Sequence, residues 1–413
     1  MTPYASFYFF AIVGILLIPT IIAGLRGKML RKYNAVVTLI MLAVIFSDKP
    51  IQAVALAIFV IWQFILVKGY LTLRQRNNKT SIFCTAVVLS ILPLILVKII
   101  PAVPALKSLV LFDIPVSNLV VFLGVPNGTF TVSNLVVFLG ISYVTFRAVQ
   151  MIFEIRDGLI KEISLFKFWE FLLFFPAIST GPIDRYRRFQ KDVEKPPTAD
   201  EYKALLYTGI NRIFQGFLYK FIIAYLINKH LLDTPLTKQT TFASAMTDMY
   251  AYSFYLFFDF AGYSAFVIGV SYLMGIKTPE NFNKPFISRN IKDFWNRWHM
   301  SLSFWFRDFI YMRFVFFATK KKLIKNRYTI SYIGAFLNFF IMGVWHGLTW
   351  YYIVYGLYHA ILFISFDIFE RKNKKHKFWP NNKFTHVLAI IITFHFVCFG
   401  LLIFSGHLNK FFS

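Results

Sequence analysis

Long apolar blocks separated by short basic ones set the pattern of this chain. Residues 6–25 are apolar and end at Arg26, Lys28, Arg31 and Lys32. Blocks at 33–46, 51–70 and 81–100 follow, and the third of these four ends at Arg74, Arg76 and Lys79. A helix rises about 1.5 Å per residue, so ~20 apolar residues cross a ~30 Å hydrocarbon layer. Further blocks lie at 132–153, 202–231, 241–274, 329–345, 350–369 and 384–404. Residues 165–178 are apolar but short, carry Glu170 and run into Pro176, which predicts a partial or re-entrant helix buried in protein. Residues 309–318 read as interfacial. The pattern predicts an all-α polytopic membrane protein of about 11 transmembrane helices, with re-entrant and interfacial helices besides. It reads as a single membrane-embedded domain over 1–413, with N-terminal helices at 1–100 and a last span at 384–405.

Charge fixes the expected orientation. Lys and Arg total 44 against 19 Asp and Glu, a net charge of +25. In a soluble chain this would suggest nucleic acid. Here the cations collect in loops, most densely at Arg371, Lys372, Lys374, Lys375 and Lys377. The positive-inside rule accounts for them, places both termini outside and removes the need for a nucleic-acid partner. Such a cytoplasmic face would also attract an acidic protein or anionic lipid. Cys84 and Cys398 both lie in apolar blocks, so no disulfide framework is expected. One oddity is the nonapeptide Val-Ser-Asn-Leu-Val-Val-Phe-Leu-Gly, present identically at 116–124 and 132–140. Two perfect copies read as a local duplication rather than a solenoid, with the second copy the structural one.

Ionisable residues inside apolar blocks are the candidates for chemistry, because burying them is costly. Asp259, in Phe258-Asp259-Phe260-Ala261-Gly262-Tyr263, either orients a histidine or binds an amine, or is a structural carboxylate paired with an arginine or capped by backbone. Glu170, Arg212 and Lys220 read as snorkelling near an interface. Residues 291–310 form an amphipathic pattern, with Phe294, Trp298, Leu302, Trp305 and Phe309 on one side. It predicts one helix lying on the cytoplasmic leaflet. His299 in that helix is either a structural hydrogen-bonder or a site residue. His346 ends an uncharged run before Gly347. Held neutral by apolar surroundings, it could take the proton of an attacking hydroxyl; equally, it could be a core histidine bonded to a carbonyl. No HExxH, Cys/His cluster, GxSxG or Walker motif is present, so no metal or bound nucleotide is expected. His230, His359, His376, His386, His395 and His407 have no motif context.

Four motifs in order, Gly181-Pro182-Ile183-Asp184-Arg185-Tyr186, Phe258-Asp259-Phe260-Ala261-Gly262-Tyr263-Ser264, Trp295-Asn296-Arg297-Trp298-His299 and Trp345-His346-Gly347, resemble the membrane-bound O-acyltransferase family. They span a motif-bearing core over roughly 130–370. Gly140-Ile141-Ser142-Tyr143 through Gln150, then Glu154-Ile155-Arg156-Asp157-Gly158, is similar to the family's D-alanylating branch rather than its alginate-acetylating one. The resemblance implies a ring of helices around a thin centre, with an outer funnel and a cytoplasmic tunnel. It implies His346 and His299 as catalytic residues, with Asp259, Tyr263, Trp295 and Trp345 in support. It implies a multi-pass cell-membrane enzyme of a Gram-positive bacterium. The donor would be D-alanine held as a thioester on the phosphopantetheine arm of a small acidic carrier protein. No permanently bound cofactor is implied. The acceptor would be a hydroxyl leading to lipoteichoic acid, with other membrane proteins of the D-alanylation pathway as partners. Arg185, Arg187, Arg188, Arg289, Lys292 and Arg297 are the candidate carrier-docking cations. Two other readings stay open: O-acetylation of an extracellular polysaccharide, and a transporter or flippase without acyl transfer. His299 at the cytoplasmic end and His346 at the far end of the next span pose a question. Either the two meet, or His346 alone does the chemistry.

Overall fold

The structure, a computed structural model, describes residues 1–100, 103, 110–113, 129–131 and 137–412 and is helical nearly throughout. Among the described residues, eight helices are long and apolar enough to cross a membrane: Phe7–Leu25, Pro50–Arg76, Thr80–Ile99, Ala199–Leu232, Phe242–Leu273, Arg327–His346, Trp350–His376 and Lys383–Ser405. The count falls below the expected number of about 11. One reason is that helix Arg31–Phe46 has only 16 residues, or ~24 Å of rise. Another is that helix Ile141–Arg156 also has 16. Most of the duplicated nonapeptide lies outside the described residues. A short antiparallel pair, Val110–Asp113 with Thr129–Thr131, is the one ladder among them; both segments are rich in β-branched and aromatic residues.

The chain divides into two compact units. The first comprises Met1–Phe214 and Ala265–Pro279, the second Gln215–Ser264 and Glu280–Ser413.

In the first unit the short apolar stretch is a partial helix, as its length predicts. Helix Leu165–Leu172 opens on Ser164, whose hydroxyl accepts from the Lys167 amide, and gives way to a 3-10 turn at Phe175–Ala177. Residues 174–179 and 181–184 are buried. Irregular buried backbone needs donors. Arg147, 1% exposed, supplies them, donating to the carbonyls of Phe171, Leu172 and Ala177 at 3.3, 3.3 and 2.8 Å. The Tyr4 hydroxyl donates to Pro176 O at 3.2 Å. Arg31 holds Glu170 through two charge-assisted bonds of 2.9 and 2.6 Å, so Glu170 is a buried-side ion-pair partner rather than a snorkelling group.

In the second unit, helices α1 (Arg327–His346) and α2 (Trp350–His376) form a hairpin in backbone contact. A Cβ on Gly343 would lie 2.5 Å from Tyr352 O and 3.3 Å from Gly356 Cα. Small residues on facing turns let two helices approach this closely, and dispersion then replaces the missing hydrophobic drive. Helix α3 (Lys383–Ser405) starts with a reciprocal Asn382/Thr385 capping box. It ends in a 3-10 turn, His407–Phe411. Lys410 in that turn donates to Thr237 O, Ser244 Oγ and the buried Asp248 Oδ2, each at 2.6 Å.

Candidate functional site

The single amphipathic helix expected over 291–310 is broken. Asn290 caps a short helix, Ile291–Trp295, its side chain accepting from the Asp293 amide at 2.8 Å. A second helix begins at Met300, and between them His299 takes φ +43°. Left-handed backbone interrupts an α-helix and turns the chain. Instead of lying on a leaflet, the segment is folded into protein: Phe294, Trp295, Trp298 and His299 are all buried.

Asn281 holds this turn. It is 0% exposed. Its amide donates to Ser264 Oγ at 3.0 Å, its side-chain oxygen accepts from Ser301 Oγ at 2.6 Å, and its carbonyl accepts the Met300 amide at 2.8 Å. The Asn283 amide adds a bond to Arg297 O at 2.9 Å. Ser264 is the last residue of the Phe258–Ser264 motif, so the motif and the histidine turn are tied through one asparagine. Phe260 of the same motif sets its ring edge-on to His299, with centroids 4.7 Å apart. Asp259 pairs with Lys220, a lysine in place of the arginine expected for a structural carboxylate. Gly262 explains how the two helices come so near: a Cβ there would sit 2.8 Å from Lys220 N.

His346 is the last residue of α1 and half-buried. Trp345 lies 4.5 Å from it, Phe404 4.8 Å, Tyr352 5.8 Å and Tyr355 6.3 Å, ring centre to ring centre. Gly347 allows this packing, since a Cβ would strike the Tyr352 ring at 2.7 Å. The two histidines are brought together. His299 is held down at about 3 by burial first and by the nearby His346 second. Burial and a second imidazole nearby both disfavour protonating the deeper ring. Aromatic rings wall His346, which stays half-buried.

His359, to which sequence reasoning gave no role, completes the shell. It is 1% exposed, 4.5 Å from Tyr355 and 5.1 Å from Trp295. Neither of its ring nitrogens, nor Trp295 Nε1, has a hydrogen-bond partner among the described residues. The signal was the spacing Tyr352, Tyr355, His359, three and four apart on one helix face. Asn281 had only the polar loop around it as a signal. Tyr263, named as supporting, is buried.

The six cations named for docking are largely engaged. In the first unit Arg188 pairs with Asp184 and Asp192, Arg187 with Glu154, and Arg185 lies 3.4 Å from Gln150 Oε1. In the second, Arg297 pairs with Asp293, and Lys292 with Asp367 and Glu370. Among the described residues no group of three or more His, Cys, Asp or Glu could hold a metal ion.

The chain matches known proteins over nearly its whole length. The profile of the MBOAT, membrane-bound O-acyltransferase family matches residues 38–405. The chain is 57% identical over 408 residues to a teichoic acid D-alanyltransferase of Bacillus subtilis (strain 168), covering 98% of each. It is 44% identical to a protein of the same description from Lacticaseibacillus rhamnosus, covering 99% of this chain and 98% of that one. A probable alginate O-acetylase of Pseudomonas aeruginosa is 33% identical over 201 residues, 48% of this chain and 36% of that protein.

Proposed function

Because the chain belongs to the membrane-bound O-acyltransferase family, we propose that it moves a D-alanyl group from a carrier-protein thioester to a hydroxyl on the way to lipoteichoic acid. The observation that supports this is the match to named teichoic acid D-alanyltransferases over nearly the full length of the chain, with His346 walled by aromatic rings and near enough to the buried His299 to oppose its protonation. His346 takes the proton of the acceptor hydroxyl as its oxygen attacks the thioester carbonyl carbon. The carbon–sulfur bond breaks, the thiolate recovers the proton from the imidazolium, and the products are an ester and a free thiol. His299, buried and neutral, positions the thioester and adds no charge. A water-excluding shell protects the thioester from hydrolysis.

The donor arrives on the phosphopantetheine arm of an acidic carrier at the basic face, which the positive-inside distribution makes cytoplasmic, with the N-terminus outside. Most of the named docking cations already hold an internal carboxylate, so they act through the long-range field of the +25 chain more than through private contacts. O-acetylation of a polysaccharide is the second reading, favoured by the alginate-acetylase match, but that match covers under half of this chain.

The test uses membranes holding the full chain, a D-alanyl-loaded carrier and a labelled donor. His346→Ala should abolish D-alanine incorporation at unchanged expression. Full activity in that variant would remove the mechanism, and transfer of acetyl in place of D-alanine would move the assignment to the second reading.

A further inference from the structure

A cavity of about 740 Å³ opens between α2 and α3 in the second unit, lined by neither His299 nor His346. Its two ends differ in chemistry. Leu362, Phe366, Ala389, Ile392 and Phe396 line the end that lies within the two membrane-spanning helices. The other end reaches the basic C-terminus of α2 and the start of α3, where Arg289, Asn290, Lys374 and Trp379 line it. Apolar walls at chain depth and hydrogen-bond donors at headgroup depth match an amphiphile of the bilayer.

Charge at the polar end selects among amphiphiles. Lys292, Arg371 and Lys374 share two carboxylates, Asp367 and Glu370. Arg289 adds a fourth cation, and its guanidinium has no ion-pair or hydrogen-bond partner among the described residues; only its backbone amide is bonded, to Asp293. The end is therefore electropositive. The N-terminus of α3, a helix of 23 residues, opens on the same end through Thr385 and His386 and adds the positive pole of its dipole.

We propose that this cavity binds one anionic phospholipid, its phosphate on Arg289 and its acyl chains along Leu362, Phe366, Ile392 and Phe396. The site shares Arg289 and Lys292 with the candidate docking cations but neither His299 nor His346 lines it, and lipid binding needs no turnover.

The test titrates the purified full-length protein in detergent with phosphatidylglycerol or phosphatidylcholine of identical chains, counting bound lipids by native mass spectrometry. The wild type should hold one phosphatidylglycerol more tightly than phosphatidylcholine. Arg289→Gln should weaken phosphatidylglycerol about fivefold, the worth of one basic side chain at a membrane surface, and leave phosphatidylcholine unchanged. Arg289→Lys should keep the preference, and Ala389→Trp, which fills the apolar end, should weaken both lipids. Equal affinity for the two lipids in the wild type, or no effect of Arg289→Gln, overturns the proposal. So does competition by glycerophosphate alone as effective as by phosphatidylglycerol, which would make this a bare anion site.

Discussion

At the scale of single residues, the backbone at 299 decides what can stand there. A φ of +43° is tolerated by Asn and Gly and resisted by β-branched side chains. His299→Asn should therefore fold normally, whereas His299→Val should lose a further ~1–2 kcal/mol of stability, read by thermal unfolding in detergent. The same residue predicts a pH dependence. Above pH 6.5 the ring is neutral in both states and contributes nothing. As pH falls from about 6.5 toward 3, the unfolded chain takes up a proton that the native site refuses, so stability falls. His299→Asn should flatten that acid limb between pH 6.5 and 4.5; an identical limb in both proteins would mean that the burial of His299 does not govern it. Asn281 offers a sharper test of positioning. Asn281→Ala removes the bonds to Ser264 and Ser301 and should cost about 1–3 kcal/mol. Its effect on turnover should exceed that of Asn283→Ala, whose side chain the histidine turn does not use. Both histidines were legible in the sequence as polar groups with no bland place to go. Asn281 was not, because a tertiary clamp leaves no periodic trace. The same holds for the left-handed turn, whose residue is a histidine rather than the glycine or asparagine that would have announced it.

At the scale of elements, the α1–α2 hairpin depends on two glycines. Gly343→Leu or Gly356→Leu puts atoms where Tyr352 O and Phe339 O stand and should leave little folded protein on gel filtration. Gly14 and Gly69 have nothing within 4 Å of an added Cβ. Alanine there should hold or raise stability, by up to ~1 kcal/mol, and serves as the control. The C-terminal turn is pinned by charge instead. Lys410→Met leaves Asp248, 2% exposed, with only His407 at 3.5 Å for an ion pair and should cost about 3–5 kcal/mol. Adding Asp248→Asn should restore most of the loss, since two neutral groups replace a stranded one. Membrane helices were legible wherever apolar length alone decides. The broken helix at 291–310 was misread because its amphipathic spacing is real on both sides of the break, and spacing does not register a turn forced by packing.

At the scale of the whole molecule, the excess of cations acts before any contact forms. Association with an acidic carrier should slow as salt rises from 50 to 500 mM, measured by stopped-flow, because the Debye length shortens from over 10 Å to about 4 Å. A rate insensitive to salt would remove the field from the account. The membrane class and family were legible from apolar length and four ordered motifs. The division into two compact units was not, because no polar linker marks it. The aromatic shell around the histidines carries one more consequence. Trp295, Trp298, Trp305, Trp345, Trp350 and Trp379 all fall in the second unit, leaving Trp62 and Trp169 in the first. Ultraviolet emission therefore originates mainly from the half that holds the site. The protein carries its own optical gauge: a red shift on heating dates the opening of the second unit, without a label and without turnover.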